Sequence, residues 1–117
     1  MKQRPHLVRF VSLAVISIIF VLLFQSCELG GNITVENLRN GEVDIYFSTV
    51  REDGSTDEPT RQRAVPPNAT EILGITFIDE NWVNRIEGID TFGKVVFSHD
   101  YKMGDLKKIG WKITIPP

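Results

Sequence analysis

The sequence predicts an all-β protein, a small sandwich of six or seven strands that follows an N-terminal signal or anchor helix. Apolar and polar residues alternate along several short segments, which is the period of a strand with one buried face. Turn residues such as Asn40-Gly41 and Pro66-Pro67-Asn68 separate these segments. Helical periodicity is nearly absent after the first 26 residues, so the strands are expected to pack as two sheets.

The leader has a basic start followed by an apolar block. Lys2, Arg4 and Arg9 precede the apolar segment 10–24, and no Asp or Glu lies in this part of the chain. This order is typical of an export signal. Because basic flanks resist translocation, the residues that follow are expected on the outer side of the membrane.

The leader ends in Leu23-Phe24-Gln25-Ser26-Cys27, which resembles the lipobox of bacterial lipoproteins. The resemblance implies a diacylglycerol on the sulfur of Cys27 and cleavage after Ser26. Two alternatives stay open: an uncleaved anchor helix over residues 7–24, or cleavage that releases a soluble domain. The block 10–24 spans about 22 Å as a helix, less than the roughly 30 Å of the hydrocarbon core. Both the lipidated Cys27 and the uncleaved anchor helix predict a domain that is tethered outside the cytoplasmic membrane.

Three regions follow: a signal peptide or anchor helix over 1–26, the lipidated Cys27 with a short spacer over 27–32, and a sandwich domain over 33–117. Gly30-Gly31 is interpreted as a flexible spacer. The leader holds three of the 13 Lys and Arg residues and none of the 15 Asp and Glu residues, which leaves ten basic against 15 acidic residues from Cys27 onward. A domain this acidic lacks the basic surface that nucleic acid requires.

Alternation predicts the first strands. Ile33 to Glu36 and Glu42 to Arg51 are expected to form a hairpin around Asn40-Gly41, since Asn-Gly favours the two-residue turns of hairpins. Residues 51–63 are almost wholly polar and predict a long solvated loop. The strand expected over Thr70 to Ile78 is apolar on both faces in places, as in the interior of a sheet.

The second half continues the pattern. Its expected elements are a hairpin of the strands 82–89 and 94–101 around Asp90-Thr91-Phe92-Gly93, one helical turn over 103–108, and a strand over 110–115. In that last strand Trp111, Ile113 and Ile115 are expected to point inward. The closing sequence (Gly-Lys-Val-Val-Phe-Ser, then Asp-Leu-Lys-Lys-Ile-Gly-Trp-Lys-Ile) is similar to small bacterial lipoproteins of unknown function. The cysteine pair of immunoglobulin domains is absent, so the wider Ig-like or transthyretin-like class is predicted.

The polar loop is the candidate contact region because the loops of a rigid scaffold carry most binding residues. The residues that we expect to contact a partner are Arg51, Asp53, Asp57, Glu58, Arg61 and Arg63. A calcium loop is disfavoured, since Gly54 follows Asp53 directly and the ligand register of an EF-hand fails. The loop is therefore not expected to hold a metal.

The chemistry-bearing residues do not form a catalytic set. His99 is the only His after the leader, and Cys27 is assigned to the lipid. We therefore expect a protein that is not an enzyme and uses no cofactor. The expected function is that of a membrane-tethered envelope module that binds a protein partner, on the cell membrane or an outer membrane. The alternative is an envelope inhibitor or immunity-type protein that blocks a hydrolase.

Overall fold

The computed structural model describes residues 29–117. The predicted signal peptide 1–26, the lipidation site Cys27 and the alternative anchor helix 7–24 all lie outside the described residues. Within 29–117, no helix has the length and apolar character needed to cross a membrane.

Seven strands and one short helix make up the described chain. In chain order they are β1 (Leu29–Asn37), β2 (Val43–Val50), β3 (Thr60–Val65), β4 (Thr70–Phe77), β5 (Val83–Asp90), β6 (Val95–Tyr101), α1 (Met103–Lys108) and β7 (Lys112–Ile115).

The strands form two sheets, which confirms the predicted all-β sandwich. One sheet has the order β4-β1-β7 and the other the order β3-β2-β5-β6. All neighbours are antiparallel except β1 and β7, which run parallel. Alternate residues of both sheets point inward and bury a hydrophobic core. Its largest fully buried hydrophobic side chains are Phe77, Ile33, Ile45, Ile86, Leu106 and Ile115.

The predicted hairpin of the first two strands is wrong. β1 pairs with β4 and β7, whereas β2 pairs with β3 and β5 in the other sheet. Neither Asn40 nor Gly41 has the positive φ that a two-residue hairpin turn needs. Past β1 the chain stays attached to β7 through Leu38, whose N–H donates to the carbonyl of Ile115 at 3.0 Å. The Asn-Gly segment therefore carries the chain from one sheet to the other.

The predicted spacer belongs to the fold. Gly30 and Gly31 lie in β1, opposite Thr76 and Ile75 of β4. A Cβ atom at Gly30 would overlap the carbonyl oxygen of Ile75, so the glycine permits a close approach of two backbones. The residue therefore serves packing, whereas the sequence suggested flexibility.

β4 is an edge strand, and its predicted place in the interior of a sheet is wrong. Leu73, Ile75 and Phe77 are buried, while Ile72 on the opposite face is 60 % exposed. The apolar character of both faces of the predicted segment 70–78 therefore reflects one core face and two exposed isoleucines, Ile72 in β4 and Ile78 directly after it.

The predicted elements of the C-terminal part are confirmed. β5 and β6 form the expected hairpin, in which Gly93 has a φ of 80°. In α1 the backbone N–H of Lys102 donates to the carboxylate of Asp105 at 2.9 Å, which caps the first turn. The last strand starts at Lys112 and not at Gly110 as predicted, so Trp111 precedes β7, with a φ of 59°. Its side chain packs half-buried against the core, in agreement with its predicted inward orientation.

Candidate functional site

Several loops meet at one end of the sandwich, which we call the β1-start end. It is defined by Leu29, which lies opposite Phe77 at the end of β4, and by Val50 at the end of β2, which lies opposite Val83. The β4–β5 turn (residues 78–82) and the β2–β3 loop (residues 51–59) are therefore neighbours there. β1 starts at this same end with Leu29.

A cleft of about 530 Å³ lies between this loop and this turn. Its lining residues are Thr49, Val50, Arg51, Glu52, Asp57, Asp79, Asn81, Trp82 and Val83. Trp82 and the valines supply the apolar part of the lining, and its charged groups are three carboxylates and a single guanidinium. The cleft is open to solvent and suits the binding of an extended or flat group.

The loop tip has a defined hydrogen-bonded conformation. The N–H of Arg51 donates to the carbonyl of Ser55 at 2.8 Å, and the N–H of Gly54 donates to the carbonyl of Arg51 at 2.9 Å. Gly54 has a φ of 84°, which a residue with a side chain rarely adopts. The carboxylate of Asp53 accepts from the hydroxyl of Ser55 at 2.6 Å and from its N–H at 2.9 Å. These bonds to Ser55 lower the pKa of Asp53 below its ordinary value.

Asp57 fixes the returning half of the loop to β2. Its carboxylate accepts from the N–H of Thr49 at 2.6 Å, and its own N–H donates to the carbonyl of Thr49 at 3.2 Å. An isolated bridge between Val50 and Thr56 adds a further tie. The cleft wall is thus organised before any ligand arrives.

The six predicted contact residues fall into two groups. Arg51 and Asp57 line the cleft, and Asp53 and Glu58 lie exposed on the same loop. Arg61 and Arg63 are not in a loop but on the edge strand β3, which corrects the predicted extent of the loop.

The edge-strand arginines form ion pairs away from the cleft. Arg61 pairs with Asp44 of β2 at 2.9 Å, and Arg63 pairs with Glu71 of β4 at 3.1 Å. The second pair joins one sheet to the other at the β3–β4 side. Both are partly exposed, so they contribute little to stability.

Asp79, Asn81 and Trp82 line the cleft but were not among the predicted contact residues. Asp79 accepts from the N–H of Asn81 at 2.8 Å, which holds the β4–β5 turn in shape. The sequence feature that could have indicated this part of the site is Trp82, an aromatic residue directly after the polar residues 79–81. We interpreted Trp82 as the first residue of a strand.

His99, the one histidine in the described part of the chain, does not line the cleft. His99 lies exposed on β6, with its ring 4.4 Å from that of Tyr101. Among residues 29–117, no group of three or more His, Cys, Asp and Glu side chains is placed to hold a metal ion. What the cleft offers is an apolar wall with an acidic rim, which favours a ligand that carries both apolar and positively charged groups.

Comparisons of the chain with protein-family models, with curated proteins and with solved structures find no match.

Proposed function

We propose that this protein is a bacterial lipoprotein, tethered on the outer side of a membrane, whose sandwich binds a protein partner and catalyses no reaction. The leader and Cys27 support the tether, with a single-pass anchor as the alternative. The sandwich of three and four strands supports an Ig-like or transthyretin-like module. The cleft between the β2–β3 loop and the β4–β5 turn carries the proposal of binding.

The loop supports binding because it is already ordered. The hydrogen bonds of Asp53 and Asp57 hold both halves of the loop, so little conformational entropy is lost when a partner binds. Trp82 provides the kind of aromatic contact that dominates many interfaces.

The charge of the cleft indicates the partner's chemistry. Glu52, Asp57 and Asp79 outnumber Arg51, so the complementary surface carries Lys or Arg beside an apolar side chain. Charges at the rim of an interface act mainly on specificity and association rate.

Crosslinking in intact cells tests the cleft. Glu52→Arg reverses a cleft charge, and we expect it to reduce recovery of the crosslinked partner by roughly tenfold, since like charges across an interface are unfavourable. Glu42→Arg is the matched control, because Glu42 is exposed just before β2, at the opposite end of the sandwich, and does not line the cleft. Equal recovery with both variants would show that the cleft is not the binding surface.

An inhibitor or immunity-type role is the second candidate. The observation that favours it is the ordered acidic loop, which has the form of an element that blocks a basic enzyme. Its test is the retention of a hydrolase from envelope extracts on the immobilised protein, with loss of that hydrolase's activity on binding. A bound partner that keeps full activity would favour the accessory role.

The tether has its own test. A fatty-acid probe fed to cells should label the protein, and Cys27→Ser should abolish the label. If both proteins carry the same label, or neither does, the lipid on Cys27 is refuted.

A further inference from the structure

The β1-start end has two flanks of opposite charge. The acidic flank consists of the β2–β3 loop and the β4–β5 turn, with Glu52, Asp53, Asp57, Glu58, Asp79 and Glu80. The other flank, which we call the α1 flank, consists of Lys102 and the end of α1, with Lys107, Lys108 and Ile109. Its carboxylate, that of Asp105, accepts from the N–H of Lys102, and three lysines against one aspartate leave the flank basic. These lysines are exposed, and Ile109 is 44 % exposed. None of the three lysines takes part in the four ion pairs found within residues 29–117.

The α1 flank lies beside the first residues of β1. The N–H of Thr34 donates to the carbonyl of Trp111 at 2.8 Å, and the ring of Trp111 lies next to Gly31. Leu106 is fully buried and fixes α1 against the core. Because β7 runs parallel to β1, the residues before Trp111 lie toward the start of β1.

The covalent path from this end to the membrane is short. Glu28 is the one residue between Cys27 and Leu29, so two steps of about 3.8 Å keep the Cα atom of Cys27 within about 8 Å of that of Leu29. Phe24, the last residue of the apolar block, is five such steps from Leu29, so the Cα atoms of these two residues are at most about 19 Å apart. The Debye length is about 10 Å at moderate salt, so the charges near the start of β1 feel an anionic surface.

Resting on the proposed tether, we propose that the α1 flank docks on the anionic lipid surface. Lys107 and Lys108 attract the lipid phosphates, and Ile109 inserts its side chain among the headgroups. The carboxylates of the acidic flank are repelled by the same surface, so the sandwich tilts about β1. The tilt turns the cleft beside Trp82 away from the bilayer, where a partner can reach it.

Fluorescence of the full-length protein in nanodiscs tests the docking. A polarity-sensitive unnatural amino acid is placed at position 109 and, as the control, at position 92. Phe92 is 94 % exposed in the β5–β6 turn, at the opposite end of the sandwich. In discs that contain phosphatidylglycerol, we expect a blue shift and quenching by nitroxide lipids at position 109 and neither effect at position 92. Discs of phosphatidylcholine alone should weaken the effect at position 109.

Charge variants test the source of the attraction. A lysine near an anionic surface changes the docking equilibrium about fivefold, so Lys107→Gln with Lys108→Gln should lower the ratio of docked to undocked protein about 30-fold. Lys94→Gln, in the distant β5–β6 turn, is the matched control and should change nothing.

The outcomes separate the tether from the docking. If the protein stays bound to the anionic discs but the fluorescent residue at position 109 emits as it does in water, the docking is refuted and the tether stands. The α1 flank then faces solvent or a protein. If the protein does not stay with the discs, the tether is refuted and the docking falls with it.

Discussion

Asn37 joins three segments at the end of the sandwich opposite the β1-start end. It is fully buried at the end of β1. Its Nδ2 shares two hydrogens among three carbonyls, those of Gly41 at 2.9 Å, Val65 at 3.1 Å and Pro66 at 3.2 Å, so that one of these bonds is bifurcated. Its Oδ1 accepts from the N–H of Arg39 at 2.9 Å. One side chain thus connects β1 to the end of β3 in the other sheet and to the segment between β1 and β2.

Asn37→Ala should be strongly destabilising. An intramolecular hydrogen bond contributes about 1 kcal/mol net, so loss of the three shortest bonds lowers the free energy of unfolding by about 3 kcal/mol. For a domain of this size that corresponds to a fall in Tm of roughly 15 °C. Urea denaturation followed by tryptophan fluorescence measures the change, because Trp82 and Trp111 are half-buried. The midpoint should move while the m value stays the same.

Asn84→Ala is the matched control. Asn84 is also buried, but its Nδ2 makes a single bond, to the carbonyl of Thr76 at 2.9 Å. We expect this variant to lose about 1 kcal/mol. If Asn37→Ala costs no more than Asn84→Ala, the assignment of Asn37 as a tie between the sheets is refuted.

Two further predictions concern the core and pH. A Cβ atom at Gly88 would lie 2.8 Å from Cγ1 of Val43, a stiff β-branched side chain, so Gly88→Ala should cost about 1–3 kcal/mol in urea denaturation. Gly74→Ala is the control, because a Cβ atom at Gly74 would have its nearest neighbour, Oδ1 of Asn32, at 4.0 Å, and it should change the free energy of unfolding by less than about 0.5 kcal/mol. An equal loss of stability in the two variants would contradict this prediction. Hydrogen bonds from Arg85 hold the pKa of Asp100 below its ordinary value, so the pair stabilises the fold above the unfolded pKa of about 4 and loses this effect as the pH falls through the lowered pKa. Asp100→Asn should therefore lower the Tm at neutral pH and leave it unchanged in strong acid, which thermal melts at the two pH values measure. The same loss of Tm at both pH values would refute this pH dependence.

Turn sequences predicted two hairpins, of which the one at residues 90–93 is confirmed and the one at Asn40-Gly41 is wrong, and the difference has a physical reason. At the β5–β6 turn the N–H of Asp90 donates to the carbonyl of Lys94 at 2.9 Å, and Gly93 takes the positive φ. Local bonds therefore determine that turn. At Asn40-Gly41 the outcome depends on which distant strands pair with β1, and packing against β4 and β7 decides it. The residues of the turn themselves do not indicate whether β1 pairs with β2 or with β4 and β7.

β3 was missed because its sequence has no apolar face. Thr60 to Arg63 are exposed, and only Ala64 and Val65 turn toward the core. Charged residues on an edge strand hinder pairing with other chains, so such strands often lack the alternation by which strands are recognised. The strand was therefore assigned to the preceding loop.

The candidate site was predicted in part. Composition was enough to place Arg51 and Asp57 in an exposed loop, where both line the cleft. The opposite wall with Trp82 comes from a distant part of the chain, and the pairing of Val50 with Val83 brings the two together. A site built across two non-consecutive strands requires the sheet topology, which the sequence did not provide.

The parallel pairing of β1 with β7 has a consequence for the timing of folding. The first strand of the domain sits between β4 and the last strand, so its sheet stays incomplete until residues 112–115 are in place. Contacts between such distant segments form slowly, because the loop between them must close first. If the chain is delivered across a membrane from its N-terminus, as the proposed tether requires, the sheet can be completed only after β7 has crossed. Under that proposal the chain would stay unfolded, in a form that can still be translocated, until residues 112–115 have emerged.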